Sequence, residues 1–558
     1  MHPAPPAADR STRKDPPAMK NYDVVVIGFG PVGQMLSAQL GQAGHSVAAF
    51  EAYETLYGLS RAGHMDDEIV RTLQKIGIDE EFKSDAVPWD MYDMRTKAFD
   101  GELLLRMDWS QVGPHGHRGH WIFYQNYLEL AMHRAVTETG NVDITMGTKA
   151  VGFEQDDDGV TITLEHRKSG EQTQVRAKYL IAADGANSSI RERLGIKTWV
   201  GNCDYNQLVV DCREKHKLNF EFDNGQFADP ERPGCLFQLG AHHHRWEWTL
   251  LPGEKPEDFT EERVWELLKP WVGPDDVEIL RRPVYNFREV VAEHWQDGRV
   301  FLAGDSAHVL WPFAGEGMCN GIRDASSLAW RLNLVLRDQA SPQILDSYTA
   351  DRKPIFVAWM NLSREIGLPC VITDPEIAAM RDQGLKAAMA DPSLIPPMPE
   401  IPGPTSFVRP NDPTASTVGV QGMVEVDGTK GLFDNLVGTG WVLLTTDADA
   451  LTSLSEQQRD LIDRIGIITA HVGAPGSGAK IVDVDGTYLQ WLSGLGATTV
   501  LIRPDFWLFG SAEQASQTGA LLDSLADGLA GRFPTPARVP QPDEAQPDRA
   551  VDAATAGV

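Results

Sequence analysis

The 558-residue sequence predicts an α/β fold: a parallel sheet flanked by helices, interrupted by an antiparallel sheet and followed by a separate C-terminal unit. Three observations predict it. Residues 22–51, YDVVVIGFGPVGQMLSAQLGQAGHSVAAFE, read in succession as strand, glycine turn, helix and second strand. Two later apolar strands, Tyr179 to Ala183 and Arg299 to Ala303, run into further glycine turns, Asp184-Gly185 and Gly304-Asp305. Between them, from about 200 to 290, short strand-like segments follow one another.

The first stretch carries the strongest local signal. Val24 to Ile27 is a β-branched run of the kind a buried parallel strand carries. It enters Gly28-Phe29-Gly30-Pro31-Val32-Gly33, a G-x-G-x-x-G turn. Gly28 permits the tight turn, Gly30 lets a pyrophosphate approach the backbone, and Gly33 lets the helix pack on the strand. The helix over Met35, Leu36, Leu40 and Ala43 stops at Gly44. Its N-terminus, which begins at Pro31, presents free amides from Val32 onward and a positive dipole end to phosphates. The strand Ser46 to Phe50 ends in Glu51, 18 residues after Gly33, where an acid grips ribose hydroxyls. This is a Rossmann-like dinucleotide site.

Further along, Ser60-Arg61-Ala62-Gly63-His64 precedes a helical pattern through Ile69, Leu73 and Ile76. Trp89 to Trp109 reads as irregular strands and loops. A helix opens at Phe123-Tyr124-Gln125, and residues 142–183 alternate like strands around a turn at Asp156 to Gly159. The segments Leu208 to Cys212, Leu218 to Phe222, Cys235 to Leu239 and Trp246 to Leu251 are strand-like and suggest an inserted antiparallel sheet. A helix with one apolar stripe (Ile322, Ala325, Leu328, Leu332, Val335) follows Gly321. The expected organisation is a disordered extension at 1–20, a discontinuous nucleotide domain at 21–200 and 291–390, the inserted sheet at 201–290, and a proline-rich linker at 391–417. A C-terminal unit at 418–531 and a disordered tail at 532–558 complete it. Met19, directly before the first strand, suggests an alternative start.

A formal net charge of −29 argues against nucleic acid or an anionic membrane as partner, since both need a basic face. No run of about 18 apolar residues is present, and the N-terminus lacks a signal-peptide pattern. Five cysteines without a C-x-x-C pair fit a reducing cytoplasm and give no support for a metal site.

The glycine turns at 28–33, 184–185 and 304–305 all sit at carboxyl ends of strands, where open parallel sheets bind ligands. One ligand touched by all three must be long, and a flavin dinucleotide is long. Asp305 would accept a hydrogen bond from its ribityl chain. The loop Pro312 to Gly321, with Gly315, Gly317, Met318, Cys319 and Asn320, would lay backbone amides against the flavin ring.

With these motifs the sequence resembles the class A flavoprotein aromatic monooxygenases, the family of para-hydroxybenzoate hydroxylase and phenol hydroxylase. The matching residues are the Gly28–Gly33 fingerprint with Glu51, Asp184-Gly185 with Arg191, and Gly304-Asp305 with Pro312 and the glycine loop. Arg61 and Gln125 match family positions that contact FAD. Asp66-Asp67-Glu68, Arg245-Trp246-Glu247-Trp248 before Pro252-Gly253-Glu254, and the C-terminal unit are most similar to 3-(3-hydroxyphenyl)propionate hydroxylases.

The resemblance implies a thioredoxin-like C-terminal domain and FAD as cofactor, with NADH or NADPH and O2 as co-substrates. It implies transfer of oxygen from a flavin hydroperoxide to a small phenolic substrate, with a phenolic acid converted to a catechol as the leading expectation. Pro312 borders the flavin's path, and His308 recurs near the flavin. Trp246, Trp248 and Arg245 are candidates for the substrate pocket, although strand-core aromatics and a salt bridge explain them equally. His242 to His244 read as a polar turn, since consecutive strand residues cannot converge on one point. A homodimer is a further expectation.

Three other readings remain at this stage. A hydroxylase of a larger aromatic polyketide or antibiotic would share the chemistry. A flavin-dependent halogenase is approached by Trp246-Glu247-Trp248-Thr249-Leu250-Leu251-Pro252, a W-x-W-x-I-P near miss with one extra residue. A non-catalytic nucleotide-binding protein would use the same fold.

Overall fold

A computed structural model describes residues 19–98, 101–201, 205–220, 224–394, 397–534, 536 and 539–542. Residues 1–18 of the expected extension, Cys203, the end of the Leu218 to Phe222 segment and most of the expected tail lie outside them.

The first sheet is organised around the strand Lys20–Ile27, whose Val24, Val25 and Val26 are fully buried. Val47–Phe50 pairs with it on one side and Gln172–Ala182 on the other, both parallel. Val142–Thr145 and Val300–Leu302 extend the parallel array outward. The expected turn at 156–159 joins the antiparallel strands Thr148–Gln155 and Val160–His166. This order sets the carboxyl ends of three glycine-turn strands side by side. Each turn is latched to its neighbour by an amide: Gly28 N donates to Phe50 O (2.8 Å), Ala183 N to Ile27 O (2.7 Å) and Ala303 N to Ala182 O (2.9 Å).

Glycine is dictated at two of these points by geometry. Gly28 has φ of +99°, and a Cβ there would sit 2.1 Å from the Ala183 carbonyl oxygen. A Cβ on Gly33 would sit 2.1 Å from the Gly28 carbonyl oxygen, so the helix Pro31–Gln42 reaches the strand only because that atom is missing. At Gly30, by contrast, a Cβ meets nothing within 4 Å, which leaves the backbone open on that side.

A second sheet runs in the order Val277–Arg281, Tyr205–Glu214, His243–Thr249, Gly234–Leu239, Gly225–Phe227, Met91–Arg95, Leu103–Asp108. Its last two strands come from the stretch expected to be irregular, so the sheet is not confined to 201–290. The alternation that marks a half-exposed strand is missing there, because Tyr92, Asp93 and Met94 are all buried and a register shift follows at Met94/Arg95. His242 lies in a turn as expected. His243 and His244 are instead buried strand residues, the first stacked on Tyr124 with ring centroids 3.7 Å apart.

The C-terminal unit is a mixed seven-stranded sheet with Val442–Thr445 and Ile468–Gly473 parallel at its centre. Buried ion pairs dock it: Arg71 makes a two-pronged contact with Asp434 (2.7 and 3.0 Å), and Arg503 Nη1 lies 3.1 Å from Asp351. Among the described residues no single helix is long and apolar enough to cross a membrane.

Replacing Gly33 with alanine forces the helix off the strand. It is expected to cost about 1–3 kcal/mol, read as a lower denaturant midpoint with an unchanged slope.

Candidate active site

The three turns close around one cradle. Glu51 braces the first, its two carboxylate oxygens accepting from the Phe29 amide (2.8 Å) and the Tyr53 amide (2.9 Å). Asp184 caps the short helix Ser189–Arg193, with Oδ2 accepting from Ser189 N at 2.9 Å. Its Oδ1 is buried and has no protein partner, and burial raises its pKa. Such an orphaned acceptor aimed at a site is where a ligand hydroxyl or amide fits. Arg191, buried, donates to Ser306 O (2.8 Å) and Ala186 O (2.9 Å), tying the second turn to the third.

Asp305 emerges partly exposed from the third turn, and its nearest charged partner is Arg61 at 4.0 Å. The Gln125 side-chain oxygen accepts from both the Arg61 and Ala62 amides at 2.7 Å, fixing the segment that carries Arg61. Pro312 opens a 3₁₀ turn, Pro312–Ala314, and Gly315 follows with φ of +70°. The helix Gly317–Leu336 then begins, and its first amides, at Gly317, Met318 and Cys319, donate to no described protein partner. They form an electropositive end suited to the polar edge of a flavin ring. Asn320 turns inward, donating to Glu316 O at 3.0 Å.

These features fit an extended dinucleotide: an open backbone at Gly30, an orphaned Asp184 oxygen, a carboxylate at Asp305 free to accept hydroxyls, and free amides at Gly317 to Cys319.

Several expected residues take other positions. His308 is buried between rings, 2.6 Å from Asp324 and stacked on Phe356 at 3.9 Å. Trp246 and Trp248 face away from the cradle into a core with Leu208, Val210, Phe227 and Phe259. Strand alternation explains this: it is Arg245 and Glu247 that point to the cradle side. Arg245 is engaged there, gripping Asp211 (2.6 and 3.0 Å) and donating to the carbonyls of Ser60 (2.5 Å) and Arg61 (2.8 Å). It positions the Arg61 segment, with four of its five N–H donors engaged and its charge already paired with Asp211.

Other contributors carry no motif. Asp324 accepts from Gly304 N (3.0 Å) and His308, and its other oxygen takes Arg352 Nε (2.9 Å). Burial alone would raise its pKa, but His308 and Arg352 hold it below the usual range. Arg323 binds Asp66, Glu68 (2.8 Å) and Glu316 (2.7 Å) in one buried cluster. A wall of aromatic rings (Trp89, Tyr92, Trp109 and Phe237) joins the inserted sheet to Phe313 of the 3₁₀ turn. The unalternating run from Trp89 to Trp109 was its only sequence signal.

Comparison with known proteins shows the family. The FAD binding domain family matches residues 21–363, and the HcaD C-terminal domain matches residues 417–528. A probable NADH-specific resorcinol 4-hydroxylase of Rhodococcus jostii (strain RHA1) is 30% identical, covering 94% of this chain and 97% of its own length. A 3-(3-hydroxy-phenyl)propionate/3-hydroxycinnamic acid hydroxylase of Burkholderia cenocepacia (strain HI2424) is 27% identical, covering 89% and 95%. The crystal structure of the flavin-dependent monooxygenase PieE in complex with FAD and substrate shares the fold, with a TM-score of 0.78 and 19% identity over 91% of this chain and 99% of that one. The chain belongs to the FAD-binding family of aromatic hydroxylases, as an FAD-dependent monooxygenase that uses NAD(P)H and O2. The halogenase and non-catalytic readings are not favoured.

Two predictions follow from the cradle. Gly30→Val fills the open backbone face and Asp305→Ala removes a charged acceptor. Each is expected to lower FAD occupancy, measured as the ratio of visible to protein absorbance, and full occupancy in either would remove that contact. A third concerns acid. Burial holds His64 and His117 down at about 3 and His243 at about 4, below the ordinary 6.5. Between pH 6.5 and about 3 the unfolded chain therefore binds more protons than the folded one. The contribution of these rings is intact above pH 6.5 and lost as pH falls through that window. Urea midpoints measured from pH 7 to 4.5 are expected to fall, and His117→Gln to make that fall shallower.

Proposed function

We propose that the enzyme hydroxylates a small, uncharged phenol of the resorcinol type. The observation that carries this is the combination of an aromatic wall with an arginine whose charge is already paired. Trp109, Phe237, Tyr205 and Phe313 are partly buried rings around the 3₁₀ turn, suited to a flat aromatic ring. Arg245, the cation on the same sheet face, is taken up by Asp211 and two carbonyls, and Arg281 beside it also binds Asp211 and the Ser60 carbonyl. A neutral phenol needs no counter-ion there, whereas the carboxylate of a phenylpropionate does.

FAD, when bound and reduced by NAD(P)H, supplies the activated oxygen that enters the ring. The Gly28–Gly33 turn would take its pyrophosphate, Glu51 its ribose, Asp305 its ribityl hydroxyls and the Gly317 to Cys319 amides its ring edge. The chain's own work is to hold the phenol against the Pro312 turn and to exclude water with the aromatic wall. The cysteine pattern supports the cytoplasm as its place of action.

A second reading, 3-(3-hydroxyphenyl)propionate as substrate, rests on the names of several relatives near 27–28% identity. NADH and NADPH oxidation by the holoenzyme, with hydroxylated product and hydrogen peroxide both quantified, separates the two. Resorcinol is expected to stimulate oxidation with matching product. Matching product from the phenylpropionate alone would replace the first reading with the second. Stimulation by neither would overturn both in favour of a larger ring system.

A further inference from the structure

Resting on the hydroxylase reading above, we propose that His120 is the base that receives the substrate's phenolic proton, and that His64 and Glu316 carry that proton inward. His64 opens the strand His64–Asp66, and His120 opens the strand His120–Ile122 that pairs with it antiparallel. The register sets the two imidazoles diagonally, with His64 Nε2 2.9 Å from His120 Nδ1. A nitrogen pair at this separation shares one hydrogen. With that hydrogen on His120 Nδ1, the lone pair of His120 Nε2 is left with no hydrogen-bond partner among the described residues.

The surroundings put that ring against the aromatic wall. His120 is only half-buried, and its ring stacks on Trp109 with centroids 4.2 Å apart. Trp109 meets Trp89 and Tyr92, in the cluster that reaches Phe313 beside Pro312. On the other side, His64 Nδ1 lies 3.5 Å from the Gly315 carbonyl oxygen and 4.0 Å from Glu316 Oε1. Proton transfer across the latter gap would need a bridging water or a side-chain rotation. Glu316 is the residue before the helix whose free amides face the flavin, so the chain of groups runs from the wall to the root of the flavin loop.

The transfer balances. The phenolic O–H bond breaks and its electron pair stays on the phenolate oxygen. His120 Nε2 gains that proton as its Nδ1 proton passes to His64 Nε2. The His64 Nδ1 proton passes to the Glu316 carboxylate, so both rings end neutral. The groups facing Glu316 are His64, Asp66, Glu68, Arg323 and Cys319. Burial, and then Asp66, push Glu316 up to about 8, within about two units of an ordinary phenol near 10. Burial keeps both rings from storing the proton as imidazolium, His64 most strongly. A purely structural histidine pair explains the 2.9 Å contact but not a half-buried ring, stacked in the aromatic wall, whose second nitrogen has no partner among the described residues.

The test titrates 4-nitrophenol, whose ionised form absorbs visible light, against oxidised holoenzyme, alongside kcat and KM for resorcinol hydroxylation over pH 6–9. Wild type is expected to lower the apparent pKa of the bound nitrophenol. His120→Ala should abolish that shift and lower kcat about 100-fold, with flavin content unchanged. The isosteric Glu316→Gln should flatten the rise in kcat toward pH 8. A His120→Ala enzyme with the wild-type nitrophenol shift and kcat overturns the proposal. A wild-type enzyme that hydroxylates no phenol overturns instead the functional reading on which it rests.

Discussion

Asp324 is the constraint on which the rest of the site depends. It sits fully buried in the helix Gly317–Leu336, with one oxygen shared between the Gly304 amide and His308 and the other on Arg352. A lone carboxylate at that depth would be strongly unfavourable, and removing one partner from a buried pair costs about 3–5 kcal/mol. The third glycine turn, the flavin-loop helix and the helix Ser347–Cys370 are therefore fixed to one another at a point. Arg352 extends the tie to the Asn320 side chain and carbonyl (3.2 and 3.3 Å), at the first turn of the helix whose amides are proposed to take the flavin edge. Placement of Asp305 and placement of those amides are thus one structural event.

A second clamp works in the opposite direction, from the inserted sheet to the nucleotide domain. Asp211 accepts from both Arg245 and Arg281, and both arginines donate to the carbonyl of Ser60. Gln125 holds the amides of the following two residues. The Arg61 segment is therefore held by its carbonyls from one domain and by its amides from the other. Asp211 and, 3.8 Å from Arg245, Glu247 set two buried carboxylates against the two guanidiniums, so the clamp carries its own counter-charge.

The sequence made the nucleotide half legible because its physics is local. Gly28, Gly30 and Gly33 each perform a task that one strand, one turn and one helix define, and the structure shows two steric necessities and one open face. The inserted sheet was half legible. Tyr205–Glu214 and Gly234–Leu239 carried the pattern, but Met91–Arg95 was read as irregular because burial of Tyr92, Asp93 and Met94 erased its alternation, and Leu103–Asp108 because it opens on three consecutive leucines. Trp246 and Trp248 alternate correctly, yet alternation does not say which face meets the cofactor. Asp324, Arg352 and Arg323 were illegible for a different reason. Apart from Glu316, seven residues from Arg323, their partners lie 16 to 257 residues away, and no short motif encodes a contact that only the assembled fold creates.

Asp66, Glu68, Glu316 and Arg323 show what such contacts contribute. One guanidinium serves three buried carboxylates, so full ionisation would leave two uncompensated negative charges in a desolvated cluster. The cluster relieves this by holding Asp66 low, where Arg323 and an Ile69 amide support its charge, and by pushing Glu316 high. The division is enforced by geometry: Asp66 caps the helix Asp67–Lys75, whereas Glu316 faces the His64 ring and receives no backbone amide. A carboxylic acid that holds a proton near neutral pH thus stands at the root of the flavin loop. The same desolvation that makes the quartet costly for stability sets a proton affinity suited to phenol chemistry.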